Sequence, residues 1–219
     1  MKDDPVKIDQ KEHWESVYCT SSNRFGGEPS SIGTDALALF KEAGARRVLE
    51  LGCGQGRDTL FLLRNGIGVI GLDYSETCLC HLAERAAHLD LDGFVDLKQH
   101  DIRGSIPLPD ASVDGCFSHM FFTMELTEFE LERIFKEVLR VLRPGGLNIY
   151  SVRNVNDPHY RKGIHRGEDM WEMNRFVVHY FSEEKVERLA DGYEIVSVDE
   201  FEESDLPKRL YRVVLRRPP

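Results

Sequence analysis

The sequence lacks long apolar runs and any cysteine pattern typical of disulfide-bonded domains. None of its 219 residues belongs to a stretch that approaches the about 20 apolar residues a membrane helix needs, so we expect no membrane partner. Residues 1–10 are charged and carry no apolar core, which argues against a signal peptide. The five cysteines are odd in number and scattered, which argues against a disulfide framework and predicts a reducing, cytoplasmic location.

Acidic residues outnumber basic ones, and the sequence has no residues with the spacing of metal ligands. The formal net charge is -10, and an acidic surface repels phosphate backbones, so nucleic acid is a disfavoured partner. The sequence contains no H-x-x-x-H pair, and the C-x-C pair of Cys78 and Cys80 would not share a face of the predicted helix, so we predict no metal site. The length and a hydrophobic content of 41% are typical of one globular domain. We expect a monomer or a homodimer.

From residue 47 onward, apolar strand-like runs alternate with amphipathic helical stretches. The predicted strands cover 47–51, 67–72, 94–99, 113–119, 147–152, 193–198 and 210–215. The predicted helices, with their caps, cover 9–18, 34–43, 56–64, 75–89, 127–142 and 182–190. This alternation predicts a doubly wound, mostly parallel α/β sheet. The spacer 199–208 is too short for a helical crossover, so the last two strands should be antiparallel.

Several helix starts carry cap signals, two of which matter for the fold. Thr34 is predicted to cap the second helix. Thr127 and Glu130 are predicted to form a capping box at the fifth helix, whose inward face should include Phe129 and Phe135.

A glycine-rich loop follows the first of the alternating strands. Residues 48–51 form a buried strand pattern that runs into Gly52, Gly54 and Gly56 and then into a helix. Such a turn lets a ligand approach the backbone, and the helix N-terminus attracts an anionic group. The dinucleotide fingerprint is G-x-G-x-x-G, but Arg57 stands where its third glycine should be. A ligand carboxylate needs less room than a pyrophosphate, so a nicotinamide-dependent oxidoreductase is the weaker alternative.

Acidic residues end the next two strands. Asp73 lies about 20 residues beyond the glycine loop, where a carboxylate can accept hydrogen bonds from both hydroxyls of a ribose. Asp101 can accept a hydrogen bond from the exocyclic amine of adenine, and the Ile102 N–H can reach a ring nitrogen. A ligand with an adenosine moiety should therefore bind at the carboxyl ends of these strands.

These motifs resemble those of the class I S-adenosylmethionine-dependent methyltransferases, especially the small-molecule ones. The resemblance covers about residues 42–153, and its motifs occur in the family's order at 48–56, 71–75, 100–102, 113–114 and 142–146. It implies a seven-stranded sheet with an antiparallel last strand. Residues 52–57 and 180–182 also resemble the branch that contains tellurite-resistance methyltransferases.

The resemblance also implies roles for individual residues. The methionine moiety of the methyl donor would contact Gly52, Cys53 and Gly54, and Glu50 would also belong to the donor site. The ribose and adenine would contact Asp73, Tyr74, Ser75, Asp101 and Ile102. The region near the sulfonium would include Ser118, His119 and Met120. The N-terminal segment would cover the donor with Trp14, Tyr18, Phe25 and Gly26.

The acceptor should bind at the segment after the fifth strand. This segment has no clean periodicity, and insertions of such length are usually lids or binding loops. On an acidic protein its basic residues stand out, and we predict that they bind an anionic acceptor: Arg153, Arg161 and Arg166. A general base is needed only if the nucleophile arrives protonated. Its candidates are His119, His165, His179 and Tyr180.

The sequence thus predicts one domain over residues 1–219. It comprises a covering segment (1–33), a cofactor-binding core (34–153), a substrate insert (154–181), and a C-terminal helix with an antiparallel strand pair (182–219). The expected activity is in-line methyl transfer from S-adenosylmethionine to a small anionic molecule. Two alternatives remain open: a protein or RNA methyltransferase, and a non-catalytic S-adenosylmethionine-binding module.

Overall fold

The computed structural model describes residues 9–203 and 208–219, so residues 1–8 of the predicted covering segment and 204–207 of the spacer lie outside it. The helices are α1 (Gln10–Thr20), α2 (Ser31–Glu42), α3 (Arg57–Arg64), α4 (Glu76–His88), α5 (Glu128–Val141) and α6 (Glu183–Leu189). The strands are β1 (Arg47–Leu51), β2 (Gly68–Asp73), β3 (Val95–Gln99), β4 (Val113–His119), β5 (Leu142–Arg153), β6 (Ile164–His165), β7 (Met170–Met173), β8 (Phe176–His179), β9 (Glu194–Glu203) and β10 (Lys208–Arg216).

The main sheet has seven strands in the order β3-β2-β1-β4-β5-β10-β9. Strands β1 to β5 pair in parallel, whereas β10 is antiparallel to both β5 and β9. The predicted fold class and the antiparallel terminal pair are confirmed. The order of the strands reverses between β1 and β4, so this point is the topological switch where a ligand is expected.

Helices cover both faces of the sheet because β1 buries side chains on each side. Val48 packs into the hydrophobic cluster that contains Phe40 of α2, whereas Leu49 packs into the cluster that contains Phe135 of α5. Truncating a core leucine of this kind typically costs about 2–5 kcal/mol. None of the helices in the described ranges is long and apolar enough to cross a membrane.

The insert after β5 is more regular than expected. It forms a second, three-stranded antiparallel sheet in the order β6-β7-β8. Its strands are two to four residues long, which is too short to show a clear period in the sequence. The hairpin between β7 and β8 turns at Asn174 and Arg175, whose φ angles are 52 and 67 degrees. Positive φ at both turn residues matches the twist of paired strands.

Several predicted boundaries were wrong. Strand β5 begins directly after α5, at Leu142 rather than residue 147. Strand β9 continues to Glu203, because backbone pairing with β10 carries it through charged residues that break the apolar pattern. Phe129 was expected to face inward, but it is 69% exposed, with Arg133 over its ring. The capping box of Thr127 and Glu130 is confirmed.

Helix α2 begins one turn earlier than predicted, because Ser30 rather than Thr34 is its cap. The Ser30 hydroxyl accepts the Gly33 N–H at 2.9 Å and donates to Asp58 Oδ2 at 2.9 Å. Thr34 is exposed, and its hydroxyl donates back to the Ser30 carbonyl. The buried Asp58 of α3, 28 residues away, thus selects the cap, and no local pattern reveals that partner.

Ser30→Ala should lower the free energy of unfolding by about 1–2 kcal/mol, because α2 loses its cap and Asp58 loses a hydrogen-bond donor. Urea unfolding measured by circular dichroism gives this value. Thr34→Ala is the matched control and should change the stability by less than about 0.5 kcal/mol. Equal losses in the two variants would contradict the assignment of the cap.

Candidate active site

A cavity of about 1660 Å³ lies at the carboxyl ends of the parallel strands, beneath α1 and the insert. Most of the predicted site residues line it: Trp14, Tyr18, Phe25, Gly26, Glu50, Gly52, Cys53, Gly54, Asp73, Tyr74, Asp101, Ile102, His119, Met120, Arg153 and Arg166. The other predicted site residues, all in the described part of the chain, do not line it: Ser75, Ser118, Arg161, His165, His179 and Tyr180.

The glycine loop forms one wall of the cavity and needs two of its glycines for different reasons. Gly52 has a φ of 67 degrees, and a Cβ atom there would overlap the ring of Phe121. Gly54 has a φ of 50 degrees, and a Cβ there would lie 3.1 Å from the Tyr18 hydroxyl. The left-handed conformation and the close approach of both aromatic rings therefore exclude larger residues.

Asp73 holds this loop at the end of β2. Its Oδ2 accepts the Gly54 N–H at 3.0 Å, and its Oδ1 accepts the Ser75 N–H at 3.0 Å. Burial raises the pKa of this carboxyl group, although the N–H groups of Ser75 and Gly54 act in the opposite direction. A carboxylate has about four lone-pair sites, so Asp73 can hold the loop and still accept hydrogen bonds from a ligand.

Glu50 lies behind the loop, with only 4% of its surface exposed. Its Oε2 accepts the Thr59 hydroxyl at 2.6 Å. Burial and the neighbouring charge of Asp58 raise the pKa of Glu50 to about 8. Glu50 is therefore mostly protonated at neutral pH and adds little negative charge to this wall of the cavity.

Ser75 and Ser118 have structural positions outside the cavity. The buried hydroxyl of Ser75 accepts the Cys78 N–H at 3.2 Å and caps α4. Ser118 is fully buried in β4, and its hydroxyl has no partner among the described residues. Since successive side chains of a strand point to opposite faces, Ser118 faces away from the side that presents His119.

The N-terminal segment covers the cavity with stacked aromatic rings. Trp14 stacks on Tyr18 at a centroid distance of 5.7 Å and contacts Phe25 at 6.2 Å. It also meets Phe176 of the insert edge-on at 5.8 Å. Helix α1 therefore joins the predicted donor-binding region to the insert.

Two buried glutamines that the sequence analysis missed anchor this segment. Gln10 donates from Nε2 to the Val177 carbonyl at 2.6 Å and accepts the Glu125 N–H at 3.0 Å. Gln55, in the glycine loop, accepts the Arg24 N–H at 2.8 Å and donates to the Ser21 carbonyl at 2.5 Å. Their partners are distant in the sequence, and only the position of Gln55 inside the loop offered a signal.

Asp101 and Ile102 follow β3 and line the cavity. Asp101 is exposed, and its Oδ1 accepts the Arg103 N–H at 3.0 Å. Ile102 is buried. Tyr74, which follows β2, donates its hydroxyl to the Gln10 carbonyl at 3.3 Å, so the covering helix also touches this region.

Both ring nitrogens of His119 are hydrogen-bonded. Nδ1 lies 2.7 Å from the Ser151 hydroxyl, which also accepts the Met120 N–H at 3.0 Å. Because a carboxylate only accepts, Nδ1 of a neutral His119 accepts the Ser151 hydroxyl proton and its Nε2–H donates to Glu203 Oε1 at 3.1 Å. This hydrogen bond lowers the pKa of Glu203 to about 2. In this tautomer the lone pair of His119 is on Nδ1, so His119 could act as a base only if its contact with Ser151 breaks.

The other predicted bases lie elsewhere. His165 is exposed, packs against Trp171 and has its Nε2 at 2.8 Å from the Glu168 carbonyl oxygen. His179 is fully buried, with Nδ1 2.7 Å from the Leu126 carbonyl oxygen. Burial and the charge of Lys185 lower the pKa of His179 to about 4.

His179 also belongs to a group with the spacing of metal ligands, together with Glu128 and Glu168. The ammonium of Lys185 lies among these side chains, 2.7 Å from His179 Nε2 and 3.2 Å from Glu128 Oε1. Lys185 also donates to Asp169 Oδ2 at 2.7 Å. A buried ammonium thus supplies the positive charge of this cluster and joins α6 to the insert.

The three predicted anion-binding arginines differ in position. Arg153 forms two hydrogen bonds with Asp157 and lies over the ring of Tyr180 at 5.3 Å. Arg166 pairs with Glu172, with Nε 2.6 Å from Oε2. Arg161 lies over the ring of Tyr160, outside the cavity.

Comparisons with known proteins agree with this geometry. Residues 48–146 match the model of a family described as a methyltransferase domain. A probable S-adenosylmethionine-dependent methyltransferase of Mycolicibacterium smegmatis is 34% identical over 116 residues, which cover 53% of this chain and 41% of the relative. The chain spans less than half of the length of the first curated relatives it matches.

Solved structures share the fold over nearly the whole chain. The CcbJ methyltransferase from Streptomyces caelestis has a TM-score of 0.75 at 20% identity, covering 97% of this chain and 100% of that one. The 1,6-didemethyltoxoflavin-N1-methyltransferase of Burkholderia thailandensis has a TM-score of 0.73 at 18% identity, covering 96% and 88%. The methyltransferase-domain model, the curated relatives and the shared fold support the resemblance to the class I S-adenosylmethionine-dependent methyltransferases.

Gly52→Ala should destabilise the protein more than Gly66→Ala, by at least about 1 kcal/mol. Both glycines have positive φ, but a Cβ at Gly66 meets no atom within 4 Å. The control therefore contains the backbone strain without the overlap with Phe121. Urea unfolding of the two variants measures the difference, and equal losses would show that Phe121 does not constrain the loop.

Glu50→Gln should flatten the pH dependence of stability between about pH 5 and 8. In this range Glu50 keeps its proton when folded and loses it when unfolded, so the wild type loses stability as the pH rises to about 8. The difference in unfolding free energy between variant and wild type should grow by at most about 1.4 kcal/mol per pH unit. A difference that is constant from pH 5 to 8 would rule out the raised pKa.

Proposed function

We propose that this protein transfers a methyl group from S-adenosylmethionine to a small molecule bound in the cavity. The observation that carries the proposal is the hydrogen bond between Asp73 and the Gly54 N–H, at the cavity wall. This hydrogen bond fixes the glycine loop beside the Asp73 carboxylate, which retains lone pairs that can accept hydrogen bonds from ribose hydroxyls.

The residues present fit the methyl donor. Gly52, Cys53 and Gly54 would face its methionine moiety, where a Cβ atom on either glycine would crowd the site. Asp73 would accept the ribose hydroxyls, and Asp101 with Ile102 would contact adenine. S-adenosylmethionine supplies a methyl group made electrophilic by a positively charged sulfur.

Several features support a small acceptor. The cavity exceeds the roughly 300–1,000 Å³ of typical ligand sites, so it can hold the donor and a second small molecule. Helix α1 and the insert cover it, and Gln10 bonds the two covers together through Val177. Such a covered cavity admits a small molecule more readily than a folded protein or an RNA.

The contribution of the chain to catalysis is mainly orientation and the exclusion of water. Aromatic rings of α1 and the anchored loop restrict the space around the transferred group, and orientation can supply about 7–11 kcal/mol in favourable cases. His119 has both nitrogens engaged, so the resting site offers no free imidazole lone pair at the end of β4. This arrangement suits an acceptor that arrives already deprotonated.

Asp73→Asn should weaken the binding of S-adenosylhomocysteine by about 10- to 100-fold, since a hydrogen bond to a charged group is worth about 1.5–3 kcal/mol. Isothermal titration calorimetry measures the affinity. Asp96→Asn is the matched control, because Asp96 is an aspartate of β3 that pairs with Lys98 outside the cavity. Unchanged affinity in Asp73→Asn, or binding of NAD in place of S-adenosylhomocysteine, would contradict the proposed donor site.

Release of S-adenosylhomocysteine in a coupled assay tests the transfer itself. The acceptors would be thiols, amines, carboxylates, phenols and chalcogen oxyanions, with the donor alone as the blank. Turnover of at least one class is expected. Tight donor binding without turnover on any class would favour a non-catalytic S-adenosylmethionine-binding module.

A further inference from the structure

Arg153 occupies a distinctive place in the cavity wall. It is the last residue of β5, and only 9% of its surface is exposed. Its side chain is on the same face of β5 as Ser151, about 7 Å further along the strand. Since Ser151 holds His119 at the end of β4, Arg153 lies beyond His119 on the side of the insert.

The guanidinium of Arg153 is rigidly held. Nε donates to Asp157 Oδ2 at 3.0 Å, and Nη2 donates to Asp157 Oδ1 at 2.6 Å. The ring of Tyr180 packs against its face at 5.3 Å. A planar group fixed along one edge and one face presents its remaining edge in a single orientation.

Asp157 does not fully cancel the charge of this guanidinium. The carboxylate is buried and also accepts the N–H groups of His159 at 2.8 Å and Arg209 at 3.1 Å. Burial alone would raise the pKa of Asp157, but the Arg153 and His159 hydrogen bonds hold it below its ordinary value. Because backbone dipoles share the stabilisation of Asp157, positive potential remains at the free edge of Arg153.

That free edge is the Nη1 group. Among the described residues it has no hydrogen-bond partner, and it is not one of the buried polar atoms sealed from solvent. Arg166 is paired in the same way, with Nε and Nη2 facing Glu172, but its side chain is 19% exposed against 11% for Arg153, and no ring contact among the described residues holds its plane. Arg153 is therefore the more rigidly held of these two arginines of the cavity wall, and its Nη1 group carries two N–H donors without a partner among the described residues.

We propose that Arg153 selects the acceptor by binding a carboxylate group of it through Nη1, and that Asp157 is the positioning residue for this contact. The proposal rests on the proposed function, since it names the substrate class of the same cavity. The rest of the acceptor would lie against apolar side chains of the insert that line the cavity: Met170, Phe176 and Val178. Charge-assisted hydrogen bonds of this kind favour a carboxylate over a neutral isostere.

Ligand-observed NMR titrations with benzoate, benzamide and benzylamine test this selection, with and without saturating S-adenosylhomocysteine. The wild type should bind benzoate more tightly than benzamide or benzylamine. Arg153→Gln should weaken benzoate binding by about 10- to 100-fold and leave benzamide binding unchanged. Arg216→Gln is the matched control, because Arg216 lies at the end of β10 far from Leu210, the residue that pairs with Arg153. This variant should change neither the benzoate affinity nor the benzamide affinity.

Asp157→Asn should reduce the ratio of benzoate to benzamide affinity while leaving the affinity for S-adenosylhomocysteine unchanged. A merely structural role would instead alter both affinities together. Equal binding of benzoate and benzamide to the wild type, preference for benzylamine, or full benzoate affinity in Arg153→Gln would overturn the proposal. Failure of S-adenosylhomocysteine to bind, with benzoate selectivity intact, would reject the proposed function and leave the carboxylate site standing.

Discussion

A buried carboxylate at the end of one strand determines the shape of the site. Asp73 joins the glycine loop after β1 to the start of α4 by accepting the N–H groups of Gly54 and Ser75. Because a buried carboxylate without partners would cost several kcal/mol, these contacts are needed for the fold as well as for a ligand. The loop, the covering helix and the cavity all take their positions from this junction.

The covering layer depends on that junction through side-chain amides. Gln55 extends from the loop to residues 21 and 24, and Gln10 extends from α1 to the insert. The proposed donor and acceptor regions are therefore covered by one connected layer. This cover is continuous with the core, since Tyr18 of α1 belongs to the hydrophobic cluster that contains Phe40 and Trp14 packs against it.

Sequence reasoning predicted the parts of the structure that local patterns encode. The strand–loop–helix order, Asp73 and the antiparallel end of the sheet follow from periodicity and glycine spacing, and the structure confirms the fold they imply. The sequence analysis did not predict the insert sheet, because its strands are too short to show a period. The contact between His119 and Glu203 joins residues 84 apart, so no local signal reveals it.

The predicted anion-binding role of the insert arginines could not be judged from the sequence alone. Counting arginines in the insert indicated an anionic site, but a nearby carboxylate pairs with Arg153 and another with Arg166, while Arg161 lies outside the cavity. What matters is which N–H groups the pairing leaves free, and that depends on geometry rather than on composition. Only Arg153, among these three, combines burial, a fixed plane and an open edge.

A crystal structure of the complex with S-adenosylhomocysteine tests the central claim most directly. The account predicts that the ribose hydroxyls lie within hydrogen-bond distance of the Asp73 carboxylate while its bond to the Gly54 N–H persists. Ligand density elsewhere in the cavity, or a ribose that makes no contact with Asp73, would contradict it.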